Sequence, residues 1–188
     1  MYESLLKIVK NYLRDKESVL ELGCGNGTLI KDLSAAHPHL KKIVAIDYFN
    51  EPKNLPANVK FIKQDLERFS LNDSFDLVIL NQVFEHIKNP LGLIENIKSH
   101  LTKNGRILIA VPNRRGFGNS AQTYIPEHGK HYFLWDKESL EYSLERVGFR
   151  CRFHNLYTAG SHNILLKYLP LIFRIENPNL ICEAMLDD

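Results

Sequence analysis

The sequence has 188 residues, of which 44% are hydrophobic and 24% charged, and its formal net charge is +2 at pH 7. These values are typical of an ordinary globular protein, and we predict one domain over residues 1–188. The near-neutral charge gives no sign of nucleic acid or a membrane surface as partner. Three cysteines, far apart in the sequence, argue against a disulfide framework and indicate a reducing compartment, so we expect the cytoplasm. No apolar stretch reaches the length of a transmembrane helix.

The spacing of apolar residues predicts the secondary structure in chain order. The predicted segments are helix 4–13, strand 19–22, helix 28–36, strands 43–47, 60–63 and 75–80, helix 90–101, strand 106–111, helix 136–147, and strands 149–157 and 180–185. A turn is expected at Asn104-Gly105. Strands that alternate with helices are typical of a mostly parallel sheet covered on both faces. The predicted fold class is therefore a doubly wound α/β domain.

A glycine-rich turn follows the first predicted strand. Gly23, Gly25 and Gly27 stand at alternate positions after the acidic Glu21. Glycine lets the backbone approach a ligand closely, and the start of the next helix presents N–H groups to that ligand. A plain strand–helix turn needs only one glycine, so three at this spacing indicate a binding site. The GxGxG spacing also differs from the GxGxxG fingerprint of dinucleotide-binding proteins.

This turn resembles the first motif of class I methyltransferases that use S-adenosylmethionine (SAM), in particular small-molecule O- and N-methyltransferases such as those of ubiquinone biosynthesis. The resemblance extends over residues 15–150. It implies a Rossmann-like sheet of seven strands, SAM as cofactor, and a small-molecule acceptor. In this family the turn wraps the aminoacyl end of SAM, and the acidic residue, here Glu21, organises the turn. The implied turn residues are Gly23, Cys24, Gly25 and Gly27.

Further landmarks of the family follow in the same order along the chain. Asp47 ends the second predicted strand, where a carboxylate accepts hydrogen bonds from ribose hydroxyls. Tyr48 comes next and is expected to flank the adenine. Asp65 and Leu66 are expected to contact the adenine edge. Asn81, in the motif that follows the fourth strand, completes the implied cofactor site.

Methyl transfer from a sulfonium is a direct displacement, so the protein has to align donor and acceptor and, for some acceptors, remove a proton. The small-molecule family often carries a Glu-His-Ile segment and a later histidine before a helix that ends in Gly-Phe. Glu85, His86 and Ile87 match that segment, and His131 matches the later histidine. We therefore predict Glu85, His86 and His131 as catalytic residues, since a histidine needs little tuning to accept a proton near neutral pH.

A second resemblance leaves another function open. Residues 131–140 are similar to a segment of small-RNA 3′-terminal 2′-O-methyltransferases, in which an ExxEH segment and a distant histidine hold a divalent metal. Gln82 replaces the first glutamate of that segment and is a poorer ligand. Two histidines and a glutamate suit a transition metal better than Mg²⁺. The preferred interpretation has no metal and no nucleic-acid partner. Metal-assisted RNA methylation and a non-catalytic SAM-binding or partner-binding module are the alternatives.

Two further segments carry expectations. The polar stretch 112–135 follows the fifth strand, so we predict that it forms a lid over the acceptor, with Tyr124, His128 and Tyr132 as contacts. Its Arg114-Arg115 pair would meet a phosphate or carboxylate, although a solvated loop is the simpler interpretation. Residues 163–175 are unusually apolar and could pack on the sheet or over the site, form a dimer contact, or attach to a membrane. The sequence is compatible with a monomer or a homodimer.

Overall fold

The structure is a computed structural model that describes residues 2–116, 124–125, 129–154 and 178–187. These residues contain four α-helices, nine strands and two short 3₁₀ helices, at Leu13–Asp15 and Phe84–His86. In chain order they are α1 (Tyr2–Tyr12), β1 (Ser18–Leu22), α2 (Thr28–Ala36), β2 (Lys42–Asp47), β3 (Val59–Lys63), β4 (Phe75–Asn81), α3 (Pro90–Ser99), β5 (Leu101–Pro112), β6 (Tyr124–Ile125), β7 (Gly129–Lys130), α4 (Lys137–Glu145), β8 (Phe149–Phe153) and β9 (Asn179–Leu186).

Seven of the strands form one sheet in the order β3-β2-β1-β4-β5-β9-β8. The pairs from β3 to β5 are parallel, whereas β9 runs antiparallel to both β5 and β8. This order confirms the predicted doubly wound, mostly parallel sheet of seven strands. The two-residue strands β6 and β7 pair separately as a small hairpin, which the sequence analysis did not predict.

Two apolar cores lie on opposite faces of the sheet. Successive residues of one strand point to opposite faces, so Leu20 joins the core that includes α3 and α4, while Val19 joins the core that includes α1 and α2. All five residues of β1 are buried, as expected for a central strand covered on both faces. The helices on both faces therefore leave the two ends of the sheet as the places where a ligand can reach the strands.

Several predicted boundaries were wrong by a few residues. The largest error is at β5, which begins at Leu101 rather than at residue 106, so that Asn104-Gly105 lies inside a strand instead of a turn. The pairing of β4 with β5 shifts register between Phe75 and Leu77, and a Cβ at Gly105 would lie 2.8 Å from the Phe75 carbonyl oxygen. The glycine therefore permits a close backbone approach at a bulge, a role that a glycine can have inside a strand.

The N-terminal end of β4 is held by Asp76. Its carboxylate accepts hydrogen bonds from the Glu17 and Ser18 backbone N–H groups and from the Ser18 and Thr102 hydroxyls. Burial raises the pKa of Asp76, but these hydrogen bonds outweigh it and hold the pKa below its ordinary value. Asp76 is thus a structural carboxylate at the end of the sheet opposite the glycine turn.

Some predictions fall outside the described residues. These include the apolar segment 163–175, the end of the predicted strand 149–157 beyond residue 154, and residues 117–123 and 126–128 of the expected lid. Among the residues that the structure describes, no helix combines the length and the apolar character needed to cross a membrane.

Candidate active site

The expected site residues follow strands that end at the same edge of the sheet. β1, β4 and β5 are parallel neighbours, and β2 lies on the other side of β1. Their carboxyl ends are Leu22, Asn81, Pro112 and Asp47, respectively. Ligands of open α/β sheets bind beyond these ends. The glycine turn after β1 and the Glu-His segment after β4 are therefore neighbours in space.

The three glycines of the turn all have a positive φ, between 56° and 77°. A Cβ at Gly23 would lie 2.4 Å from Val83 Cγ2, and one at Gly27 would lie 2.9 Å from Pro52 Cβ. At Gly25, by contrast, a Cβ would meet no atom of the described residues within 4 Å. Gly23 and Gly27 are therefore required by packing, whereas Gly25 faces open space in which a ligand can approach the backbone.

Asp47 ties the glycine turn to the end of β2. Its Oδ2 accepts a hydrogen bond from Gly25 N at 2.9 Å, and its Oδ1 accepts from Phe49 N at 2.9 Å and Asn50 N at 2.7 Å. The carboxylate is buried, whereas the next residue, Tyr48, is half exposed with its ring edge-on to that of Phe49. A buried carboxylate and two exposed aromatic rings thus lie side by side at the end of β2, and their contacts with ribose and adenine stay a prediction.

Two side chains at the same turn are buried, those of Glu21 before the turn and Cys24 within it. Burial raises the pKa of Glu21 to about 8; the Ile30 backbone N–H opposes this shift and the Asp47 carboxylate adds to it. The Oε2 atom of Glu21 has no hydrogen-bond partner among the described residues. Burial also raises the pKa of the Cys24 thiol to about 12, so Cys24 is a neutral part of the turn.

Asp65 and Leu66 follow β3 at the same edge. Asp65 is exposed, and its Oδ1 accepts a hydrogen bond from Glu67 N at 3.0 Å, which stabilises a local turn. Leu66 is partly buried against the core under α3 and α4. The structure thus gives Asp65 a turn-forming contact and leaves its other oxygen toward solvent.

The end of β4 contains a feature that the sequence analysis missed. Gln82 has a φ of +55°, a left-handed conformation that costs a non-glycine residue about 1–2 kcal/mol. Both its backbone N and its side-chain Nε2 donate to the Ala110 carbonyl oxygen, at 2.8 and 3.2 Å. The preceding residue, Asn81, has a buried Oδ1 without a hydrogen-bond partner in the described part of the chain. Strained backbone beside an unpartnered buried acceptor is typical of a functional site.

The three predicted catalytic residues form one cluster, although His131 is distant in the sequence from Glu85 and His86. One potential ligand atom from each of Glu85, His86 and His131 lies within 4.8 Å of the other two. The His86 and His131 rings meet edge to face with their centroids 4.7 Å apart. Glu85 is only 2% exposed, and its Oε2 accepts no hydrogen bond from any described residue. Burial raises the pKa of Glu85 to about 7, against a smaller lowering by its own backbone N–H.

A small cleft, open to solvent, lies beside this cluster. Its walls are formed by Glu85, Pro112, Asn113, Arg114, His131, Phe133 and Leu134. Tyr132 N and Phe133 N both donate to the Glu85 carbonyl oxygen, at 2.8 and 3.3 Å. The segment after β7 is therefore held against the residues after β4, and this contact brings His131 to Glu85.

The arginine pair at the end of β5 has a structural partner. Arg114 and Arg115 both form ion pairs with Asp136, at 2.6 and 3.3 Å, and Arg115 also pairs with Glu138. Asp136 caps α4 through a reciprocal pair of hydrogen bonds with Ser139. Burial raises the pKa of Asp136, but the bonds from Ser139 and Arg114 outweigh it and lower the pKa to about 2. Neither pairing was predictable from local sequence, because the arginines lie more than twenty residues from Asp136.

The other acceptor contacts expected from the lid differ in accessibility. Tyr132 is half exposed, and Lys88 Nζ lies 5.9 Å from the centre of its ring. Trp135 is buried and stacks on Phe84 with ring centroids 5.1 Å apart, so it belongs to the core. His128 lies outside the described residues.

Comparison with known proteins identifies the family. A family model described as a methyltransferase domain matches residues 1–152. The malonyl-[acyl-carrier protein] O-methyltransferase of Bacillus cereus is 32% identical over 118 residues, which cover 58% of this chain and 44% of that protein. The ubiquinone biosynthesis O-methyltransferase of Rickettsia canadensis is 26% identical over 119 residues, which cover 60% of this chain and 50% of that protein. The chain thus spans about half the length of these relatives.

Solved structures support the fold. The plantazolicin methyltransferase BpumL, in complex with a pentazolic desmethylPZN analog and S-adenosylhomocysteine (SAH), superimposes with a TM-score of 0.73 at 18% identity, over 100% of this chain and 86% of that one. An S-adenosylmethionine-dependent methyltransferase from Clostridium acetobutylicum gives a TM-score of 0.73 at 13% identity, over 100% and 93% of the two chains. With a family model that matches most of its length, the chain belongs to the methyltransferase domain family, which confirms the resemblance on which the expected fold, enzyme class and cofactor were based.

Proposed function

We propose that the protein transfers a methyl group from SAM to an oxygen or nitrogen atom of a small-molecule acceptor. The observation that carries this proposal is the position of two features at one sheet edge. Open space at Gly25 lies beside the Asp47 carboxylate after β1, and the cleft at Glu85 and His131 lies beyond the end of β4, the strand next to β1. The names of the relatives, which include O-methyltransferases and an N-methyltransferase, support this class of reaction.

The residues around the turn suit SAM. When bound, SAM supplies an electrophilic methyl group on a sulfonium. The open space at Gly25 leaves room for its backbone contact, and the buried Oδ1 of Asn81 offers an acceptor to a donor group such as an ammonium. The carboxyl group of Glu21 is buried nearby, and one of its oxygens lacks a partner among the described residues. A cationic ligand favours the negative form of this group. Tyr48 would flank the adenine, and Asp65 with Leu66 would meet its edge.

Asp47 has to change partners if it binds the ribose. A carboxylate offers about four lone-pair sites. Three backbone N–H groups donate to Asp47, and Asn50 Nδ2, 3.4 Å from Oδ1, is a fourth donor. We expect the Gly25 N–H to give up its bond, because the turn and the ribose compete for the same oxygen. Binding of the cofactor would then loosen Gly25 from Asp47 while the Phe49 and Asn50 bonds hold the carboxylate in place.

On the acceptor side, Glu85 is the group best suited to take a hydrogen bond or a proton. Its Oε2 is buried and unpartnered in the described residues, and its pKa of about 7 lies near neutral pH. A base with a pKa near the working pH is the most effective proton acceptor. His131 lines the same cleft, and His86 contacts the His131 ring. We infer that Glu85 and His131 orient the acceptor and remove its proton, with His86 as support for His131.

The test is methyl transfer from labelled SAM to a panel of phenols, carboxylic acids and amines, with SAH affinity measured in parallel by calorimetry. Glu85→Gln and His131→Ala should lower turnover about 100-fold or more, the usual contribution of a general base. SAH affinity should change less than about threefold. Glu145→Gln, an exposed change on α4, is the matched control and should leave both unchanged. Equal losses of SAH affinity and turnover would place these residues in the cofactor site and contradict the assignment.

A metal-assisted reaction is the second candidate, favoured by the cluster of Glu85, His86 and His131. Two histidines and a carboxylate form a donor set that zinc and other transition metals accept. The three ligand atoms, within 4.8 Å of one another, would have to move closer, since donors around a tetrahedral zinc lie roughly 3.4 Å apart. Gln82 offers a neutral amide where the RNA enzymes have a glutamate, which argues against their four-residue shell. The near-neutral charge also favours a small-molecule acceptor over RNA.

The remaining expectations stay predictions: one domain over residues 1–188, a cytoplasmic location, a monomer or homodimer, and a lid over residues 112–135. The lid prediction has a direct test by hydrogen exchange. Protection of this segment should be weak in the free protein and rise when SAH and an acceptor are both bound.

A further inference from the structure

The backbone and the side chain of Gln82 both donate a hydrogen bond to one carbonyl oxygen. Gln82 is one of two non-glycine residues with a positive φ in the described part of the chain, and glutamine is not among the residue types enriched there. Such a conformation persists only where its surroundings enforce it. Here the backbone N and the side-chain Nε2 of Gln82 both donate to the Ala110 oxygen on β5. The side chain thus holds its own backbone in the strained turn.

This turn joins the two halves of the candidate site. On one side, Val83 fills the space above Gly23, where an added Cβ would lie 2.4 Å from Val83 Cγ2. On the other side, the 3₁₀ helix Phe84–His86 begins directly after Val83 and carries Glu85 into the cleft. A change of φ at Gln82 would therefore move Val83 against the glycine turn and Glu85 in the cleft at the same time.

The chemistry at this position requires a donor. Ala110 offers a carbonyl oxygen, and a neutral amide nitrogen donates to it, whereas a carboxylate of the same shape is an acceptor only. We propose that Gln82 is a positioning residue, whose side-chain amide, bonded to the Ala110 carbonyl, sets the placement of Glu85 and His86 relative to the glycine turn. The amide at Gln82 is then a requirement of this site rather than a lost metal ligand.

The test compares Gln82→Glu with Gln82→Met, both close in length to glutamine, in buffer with EDTA so that no metal binds. At about pH 7.5 neither side chain donates, so the ring signals of His86 and His131 in NMR spectra should shift. SAH affinity should fall about tenfold, or about 1.4 kcal/mol. At about pH 4.3, the ordinary pKa of a glutamate side chain, about half of the introduced carboxyl groups are protonated and donate again. The ratio of SAH dissociation constants, Gln82→Glu over wild type at the same pH, should then return to about two or less. Gln82→Met should remain tenfold weaker.

The control is Thr102→Val, which removes a hydrogen bond to Asp76 at the opposite end of the sheet. It should lower stability without changing the histidine signals or SAH affinity. Wild-type histidine signals in both Gln82 variants would overturn the proposal, as would a Gln82→Glu variant that does not recover at low pH. The SAH measurement rests on the proposed function, whereas the histidine signals do not. A wild-type protein that fails to bind SAH would thus refute the function while the spectra still decide the role of Gln82.

Discussion

Gly25→Val is expected to abolish cofactor binding while the protein stays folded. A Cβ at Gly25 meets no described atom within 4 Å, so the new side chain enters open space and not the core. Its φ of +56° costs an L-residue about 1–2 kcal/mol. For a chain of this size we therefore expect the melting temperature to fall by roughly 2–8 °C. The free energy of unfolding remains sufficient for a folded protein, because native domains are stable by about 5–15 kcal/mol.

The effect on binding should be much larger than the effect on stability. We expect wild-type dissociation constants near 1 μM for SAM and SAH, or about −8 kcal/mol. The valine side chain would occupy the space where the ligand has to approach the backbone. Calorimetry should therefore show at least about 100-fold weaker binding, a loss of about 2.7 kcal/mol.

Gly148→Val provides the matched control. Gly148 also has a positive φ, +83°, and the only described atom within 4 Å of its Cβ position is Lys98 Nζ, the mobile end of a side chain. This variant should show a similar loss of stability and unchanged SAH affinity. If Gly25→Val binds SAH as the wild type does, the turn is not the cofactor site. If the wild type binds NAD and not SAM, the assignment from the glycine spacing is wrong.

Three other predictions concern charges. If the cluster of Glu85, His86 and His131 holds a metal, EDTA should remove activity and Mn²⁺ or Co²⁺ should restore it. Full activity in EDTA would refute the metal-assisted alternative. A hydrogen bond from His154 and the Arg106 guanidinium outweigh burial and lower the pKa of Glu183 to about 2 from 4.5. Its contribution of about 3 kcal/mol is present above pH 4.5 and is lost toward pH 2, so Glu183→Gln should flatten acid unfolding curves in that window. Burial raises the pKa of Glu21 to about 8, so the stability of the protein should decline as the pH rises from 4.5 to 8. Glu21→Gln should remove that decline and weaken the binding of SAM.

Most of the fold was predictable, because buried strands and amphipathic helices leave local patterns. The continuous apolar run of β1 and the helical spacing in α2 were both located to within a residue. The start of β5 was not, since Asn104-Gly105 has the composition of a turn. Its strand conformation follows from pairing with β4, about thirty residues earlier, and local composition carries no information on that contact.

Some residues of the candidate site were likewise predictable from the sequence, and others were not. Residues of the glycine turn and Asp47 follow strand ends, so the order of elements alone places them at one edge. The left-handed backbone of Gln82 has no local signal, because it depends on the Ala110 carbonyl of a neighbouring strand. The proximity of His131 to Glu85 likewise depends on backbone hydrogen bonds from Tyr132 and Phe133. The family resemblance predicted His131 as a catalytic residue, but only the packing of the segment after β7 explains its position.

Three carboxylates that stabilise the fold differ in their surroundings from two buried glutamates of the expected site. Asp76, Asp136 and Glu183 each accept several hydrogen bonds or ion pairs, which hold their pKa values below the ordinary range. Glu21 and Glu85 are buried with one oxygen unpartnered among the described residues, and burial raises both pKa values. A buried group without a partner costs about 1–3 kcal/mol, so such groups persist where a ligand supplies the missing donor or charge. Glu21 lies under the turn expected to hold a cationic methyl donor, and Glu85 lies in the cleft expected to hold a proton-bearing acceptor. Each ligand should therefore lower the pKa of the carboxyl group beside it, and binding of SAM should release protons at pH 7 to a greater extent than binding of SAH, which lacks the sulfonium charge.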